Sequence, residues 1–195
     1  GTDGVMLTVK IREKPRGTLR LGLRYDLEDS FTGLADVSVD NIAGKGIKLF
    51  LHTRFGNYTD FALGYRSPVI INTYFVHALE AFYRDRTYFL YTDQKRSGAL
   101  EVSRAGIDFA FGYQWFRFGD TYLRYRYESD RSVNIFGAPS VQNPTQIGSL
   151  AFLSTIDTRD RNTFPHAGIL FRGSYETAAD SYGGNVGFRK ASLSG

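Results

Sequence analysis

The chain has 195 residues, 24 basic and 20 acidic, for a net charge of +4, and the basic residues form no Lys/Arg block, which leaves no electrostatic case for nucleic acid. With no cysteine, neither a disulfide framework nor a thiolate zinc site is available. Hydrophobic content of 42% argues against disorder, yet the most apolar region, Val69 to Phe82, is broken by Asn72, His77 and Glu80, so no run reaches the roughly 18 residues of a membrane helix.

Aromatics make up 15% of the residues beside 21 glycines and one methionine, a mixture that suits strands better than helices. The chain order bears this out. Val5, Leu7, Val9 and Ile11 alternate with polar neighbours until Pro15 and Gly17 stop them. Thr18 to Asp26 sets Leu19, Leu21, Leu23 and Tyr25 against Arg20, Gly22 and Arg24. Phe31, Gly33, Ala35, Val37 and Val39 form the next apolar face, followed by the glycine turn Asn41-Ile-Ala-Gly44-Lys-Gly46. Ile47, Leu49, Leu51 and Phe55 oppose Lys48, His52 and Arg54, and Phe61, Leu63 and Tyr65 end at Ser67-Pro68. A fifth strand covers Thr73 to Arg84, with Arg84 to Gly98 as an outer hairpin or loop extension.

The sixth strand alternates most clearly. Ile107, Phe109, Phe111, Tyr113 and Trp115 share one face, and Asp108, Ala110, Gly112 and Gln114 the other. An Arg-Phe-Gly-Asp turn leads to a seventh strand at Thr121 to Glu128, and Ser129 to Pro144 reads as a long loop. Strand eight, Gln146 to Thr155, and strand nine, Gly168 to Thr177, flank Asp157-Thr-Arg159-Asp160 and Phe164-Pro165-x-x-Gly168. In strand nine Ile169, Phe171 and Tyr175 fall on one face. A tenth strand begins near Asn185.

Connections are expected to alternate between short turns and longer loops, with the named turns all on one edge of the sheet. The pattern fits an all-β, antiparallel transmembrane barrel with Ile107, Phe109, Phe111, Tyr113, Trp115, Ile169, Phe171 and Tyr175 facing lipid. It also fits a soluble lipocalin-like barrel or sandwich, in which the same face points inward. Periodicity does not say which face is inside. Tyr113, Trp115, Phe116 and Phe118 cluster around a turn as interfacial anchors would, and Arg20, Arg24, Arg54, Arg124 and Arg126 would line a basic lumen.

No constellation points to chemistry. Asp157, Arg159, Asp160 and Arg161 read as a structural turn network. His52, His77 and His166 are scattered without metal-ligand spacing, and no P-loop Lys-Ser/Thr follows Gly44 and Gly46. No catalytic, cofactor-binding or metal residue is expected.

Two motifs carry a family resemblance. Asn41-Ile-Ala-Gly44-Lys-Gly46 resembles the turn between strands two and three of the BamA-type outer-membrane superfamily, the bacterial surface-antigen family. Asp157-Thr-Arg159-Asp160 through Pro165 to Gly168 resembles its turn between strands eight and nine. Val5 to Pro15 is similar to the end of a POTRA domain, which implies residues 1–16 as that tail and linker and 17–195 as the first nine or ten of an expected sixteen strands. The resemblance implies a bacterial outer-membrane location, lipid as surroundings, and closure by further strands of the same or another chain.

Leu19-Arg-Leu-Gly-Leu-Arg-Tyr-Asp26 is similar to the first barrel strand of patatin-like phospholipases. That likeness implies a non-catalytic segment anchoring a patatin-like passenger, with translocation as an added role. No Gly-x-Ser-x-Gly elbow occurs in the chain itself. The alternative is a BamA-like assembly factor whose first strand templates client proteins, and a simple pore comes third.

Overall fold

Strands that alternate apolar and polar residues gain most when their ladders join into one sheet, and the chain does this in sequence order. The computed structural model describes residues 16–26, 30–56, 58–67, 74–115, 118–137, 144–161 and 164–195. Ten strands form one antiparallel sheet in the order β1 to β10. They are β1 (Gly17–Asp26), β2 (Ser30–Ile42), β3 (Ile47–Gly56), β4 (Tyr58–Ser67), β5 (Phe75–Thr92), β6 (Lys95–Trp115), β7 (Gly119–Phe136), β8 (Thr145–Asp157), β9 (Leu170–Ala178) and β10 (Phe188–Ser194). Each strand pairs with its chain neighbours, and among the described residues β1 and β10 are the two edges and the sheet is not closed. The only helical turn among the described residues is the 3-10 turn Asp180–Tyr182, and no helix there is long and apolar enough to cross a membrane.

The even-to-odd connections do share one edge, but the expected alternation of lengths is not kept. The β1–β2 link is residues 27–29 and the β3–β4 link is residue 57 alone, whereas residues 158–169 separate β8 from β9. Two further expectations are corrected. Gly119 and Asp120 belong to β7 rather than to a turn, and β7 runs on to Phe136 where a loop from Ser129 was expected. The reason lies in the partner. Residues 129–136 lack apolar alternation at their start, but β6 offers them a ladder from Ala99 to Ala105, so backbone pairing supplies what side chains do not signal. The outer hairpin expected after Arg84 is present: β5 and β6 pair up to Thr92 and Lys95. Asp93 and Gln94, with φ of 50° and 63°, turn it as the primed hairpin turns do. The expected strand at Val5 to Arg12, its linker before Arg16, and Pro68, Phe116 and Pro139 lie outside the described residues.

The register assigns the faces. Leu21 pairs with Ala35, Val37 with Leu51, Leu51 with Leu63, and Leu79 with Phe109. Phe109 then pairs with Tyr125, Tyr125 with Leu150, and Phe152 with Tyr175. The apolar residues thus form one continuous face, and it is the open one: Leu21 is 72% and Phe109 43% exposed. The crowded face is the other. In β4, Asp60, Ala62 and Gly64 are buried while Phe61 and Leu63 are exposed. A soluble barrel would crowd its apolar side and wet its polar side, so the lipocalin-like alternative is excluded.

Aromatic rings on the polar face lie across glycines of the next strand. Phe82 pairs with Gly106 and Tyr122 with Gly112, and a Cβ on either glycine would come within 2.7 Å of the facing ring. Phe82 is 6% exposed, with its ring tip close to Gly106 and the Arg84 guanidinium 4.6 Å from the ring centre. Gly106→Val is therefore expected to destabilise the sheet by about 1–3 kcal/mol through overpacking. The midpoint of urea unfolding reads this out, and an unchanged midpoint contradicts the packing.

Candidate functional site

Three places carry unusual chemistry: the turns at one edge, the polar face, and a groove at the other end of that face. In the first turn Asn41 sits at φ 57° and accepts the Gly46 N–H on Oδ1 at 3.0 Å, while its carbonyl accepts the Gly44 N–H at 3.3 Å. The β2–β3 register shifts between Val39 and Ile42, so the turn is a bulge held by one asparagine that tolerates the left-handed region. Gly44 and Gly46, at φ 70° and 68°, complete it.

The second turn is more heavily bonded. Arg159 donates through Nε and a terminal nitrogen to the two oxygens of Asp157 at 2.9 and 2.8 Å, and its own N–H meets the same carboxylate at 3.1 Å. Asp160 reaches across the loop, where Oδ1 accepts the N–H groups of His166 at 3.0 Å and Ala167 at 3.3 Å. Thr158 clasps Ile169 through both backbone and hydroxyl, so Ile169 belongs to the turn and β9 begins at Leu170. Gly168, at φ 97°, passes so close to the Thr158 carbonyl that a Cβ would lie 2.3 Å from it. Pro165 stands exposed between these fixed points. A cleft of about 280 Å³ lined by Phe118 and Asp157 to Asp160 lies here, but its guanidinium and carboxylates already face one another.

The two backbone donors hold the Asp160 carboxyl below its ordinary value. A carboxylate whose folded pKa is depressed contributes stability above its unfolded pKa of about 4 and loses it as pH falls through the folded value. Asp160→Asn should therefore flatten the loss of thermal stability below about pH 4 relative to the parent. Equal pH profiles for melting of the two proteins contradict the role given to this carboxylate.

The polar face carries a belt of ion pairs across the strands. His52 lies between Asp36, which it meets through Nδ1, and Asp60, 4.0 Å from Nε2. Arg84 reaches Asp60 at 3.6 Å and Glu80 at 3.8 Å, and Arg104 reaches Asp130 at 3.2 Å. Arg126 donates two hydrogen bonds to Asp108, at 3.1 and 3.0 Å. Arg124 bridges Asp108 and Glu176 at 3.8 Å each, and Glu176 accepts from Ser149 at 2.8 Å. Half-exposed pairs of this kind each contribute less than about 1 kcal/mol, so the belt matters as a hydrated wall more than as a staple. His52, which looked isolated in the sequence, is thus a member of a network. Its partners are far apart in the chain and their parity is the sole sequence signal. His77 stacks edge-on against Tyr65 on the opposite face.

Of the five arginines expected on a basic lumen, Arg124 and Arg126 are tied into the belt. Arg24 and Arg54 instead join Arg86 in lining a groove of about 530 Å³ together with Thr32 and Tyr58. Arg86 escaped notice because the fifth strand was expected to end at Arg84. The open face carries Ile107, Phe109, Phe111, Tyr113, Trp115, Phe171 and Tyr175 in register, with Phe75 stacked on Phe111 at 5.4 Å. Aromatics gather toward the turn edge, where Tyr74 and Phe75 pack on Tyr113 beside Trp115 and Phe118.

Apolar outside, polar and paired inside, with antiparallel strands throughout: these are the attributes of a transmembrane β-barrel wall. The sequence profile of the Omp85 superfamily domain matches residues 41–195, and the chain belongs to that family, whose members are barrels of the bacterial outer membrane. Among solved structures it is similar to BamA from Haemophilus ducreyi lacking POTRA domains 1-3, with a TM-score of 0.65 and 21% identity. That match covers 86% of this chain and 35% of the other, so the chain spans about a third of that solved relative. No curated protein matches significantly.

Proposed function

We propose that this chain is the N-terminal wall of a non-catalytic outer-membrane barrel that assembles or inserts other outer-membrane proteins. The observation that carries the reading is β1. Among the described residues it is a ten-residue strand paired on one side with β2, and it presents a second row of backbone donors and acceptors beside Leu19, Leu21 and Leu23, all exposed. In a family of outer-membrane barrels, such an edge is a template on which a client strand gains a complete ladder before entering lipid. The patatin-passenger reading rests on the likeness of Leu19 to Asp26 alone and ranks second. Residues 1–16 fit a POTRA tail leading into the barrel, and strands beyond β10 would complete closure.

Proline scanning from Leu19 to Arg24 in the full-length protein, reconstituted in liposomes, tests the template. At every second position the N–H removed is one that β2 does not accept. Those variants should keep their fold and slow insertion of a urea-unfolded barrel client about two- to tenfold, the worth of one ladder hydrogen bond. Insertion at the parental rate throughout would sink the template mechanism.

Lipid is the proposed surroundings of Ile107, Phe109, Phe111, Tyr113, Trp115, Ile169, Phe171 and Tyr175. From Ala105 to Trp115 the apolar run on β6, rising about 3.3 Å per residue and tilted about 40°, spans about 25 Å, the height of an outer-membrane apolar band. Phe109 lies near its middle. Phe109→Arg should cost about 2–4 kcal/mol, measured as the shift in the folding midpoint in bilayers. A shift no larger than that of Phe109→Ala contradicts the orientation.

A further inference from the structure

From the groove at the end of the polar face remote from the named turns, we infer a binding site for a phosphoryl group. Arg24 from β1, Arg54 from β3 and Arg86 from β5 line it, with Thr32 from β2 and Tyr58 from β4, so five consecutive strands contribute to it. The Tyr58 ring centre lies 5.8 Å from the Arg54 guanidinium carbon and 5.5 Å from that of Arg86, which places those carbons no more than about 11 Å apart. Tyr58 also accepts from Arg54 at 3.4 Å and donates to Asp60 at 3.3 Å, so the ring that orients both guanidiniums is itself anchored.

The contrast with the belt below gives the groove its meaning. Arg84, Arg104, Arg124 and Arg126 each have a carboxylate within 4.0 Å, whereas among the described residues neither Arg54 nor Arg86 does. The Arg54 Nε is buried and makes no hydrogen bond. Burying a guanidinium donor unpaired is costly, and an anion arriving in the groove would satisfy it. No carboxylate lines the groove among the described residues, and its volume of about 530 Å³ is that of a headgroup-sized ligand rather than a bare ion. The planar forks of Arg54 and Arg86 together match the several acceptor oxygens of a phosphate ester, where a carboxylate is satisfied by one fork. The carrier of that phosphoryl group is a phospholipid headgroup or a soluble phosphate ester. The site rests on the barrel fold and is independent of the assembly reading.

The test uses the full-length protein in maltoside micelles at low and at physiological salt. Its probes are inorganic pyrophosphate, and phosphatidylglycerol doped into the micelles against phosphatidylcholine, with affinity measured by calorimetry. The Arg54→Gln/Arg86→Gln protein should bind at least about tenfold more weakly, as expected when two charge-assisted contacts are lost. Lys190→Gln, on exposed β10, should bind as the parent does. Loss with both probes supports a phosphoryl site whatever the carrier, loss with phosphatidylglycerol alone assigns a headgroup, and loss with pyrophosphate alone assigns a soluble ester. Equal affinity of the double variant and parent, or an equal drop in Lys190→Gln, overturns the site. So does absence of binding by either probe. Should the double glutamine variant fail to fold, Arg54→Lys/Arg86→Lys keeps the charge and removes the forks. A loss of about threefold or more in that protein supports the site, and unchanged affinity overturns it.

Discussion

Every strand in a membrane must give its backbone hydrogen bonds to another strand, because hydrocarbon offers no substitute partner. The uninterrupted ladder from β1 to β10 follows from that constraint, and so does the length of β5, β6 and β7. These three climb past the apolar band as one paired unit, since a strand that leaves its neighbour loses the pairing that supports it. Among the described residues, β1 and β10 are the two edges of that ladder.

Side chains then divide the labour by face. On the open face large apolar groups stay exposed, and lipid is the medium proposed to complete their burial. On the crowded face there is little room, and the sheet fills it with rings set against glycines and with charges that neutralise each other across neighbouring strands. Phe82 on Gly106 and the Asp108–Arg126 pair solve the same problem, occupying space without leaving a buried polar group alone. Where that pairing lapses, at Arg54 and Arg86, the face acquires capacity to bind something else.

The turns hold the register that makes both faces coherent. Because side chains alternate with a period of two, a slip of one residue would exchange the apolar and polar sets. Asn41 with Gly46, and Asp160 with His166 and Ala167, fix the two most elaborate turns through side chain to backbone bonds. These are also the motifs by which the family could be discerned in the sequence, and the physical reason is the same: few residues satisfy such turns.

Alternation alone determined the strand class, the membership of the two faces, and the positions of most strands, since period two needs only local neighbours. The turn motifs, through resemblance, determined the family. Which face is open was decided by the tertiary structure, because a pattern of alternating residues is identical for a barrel turned inside out. The extension of β7 to Phe136 was likewise invisible, for its support comes from β6 and not from its own side chains. Nor could the sequence show that Arg24, Arg54 and Arg86 share a groove. Their proximity depends on the register of five strands, which only the assembled sheet defines.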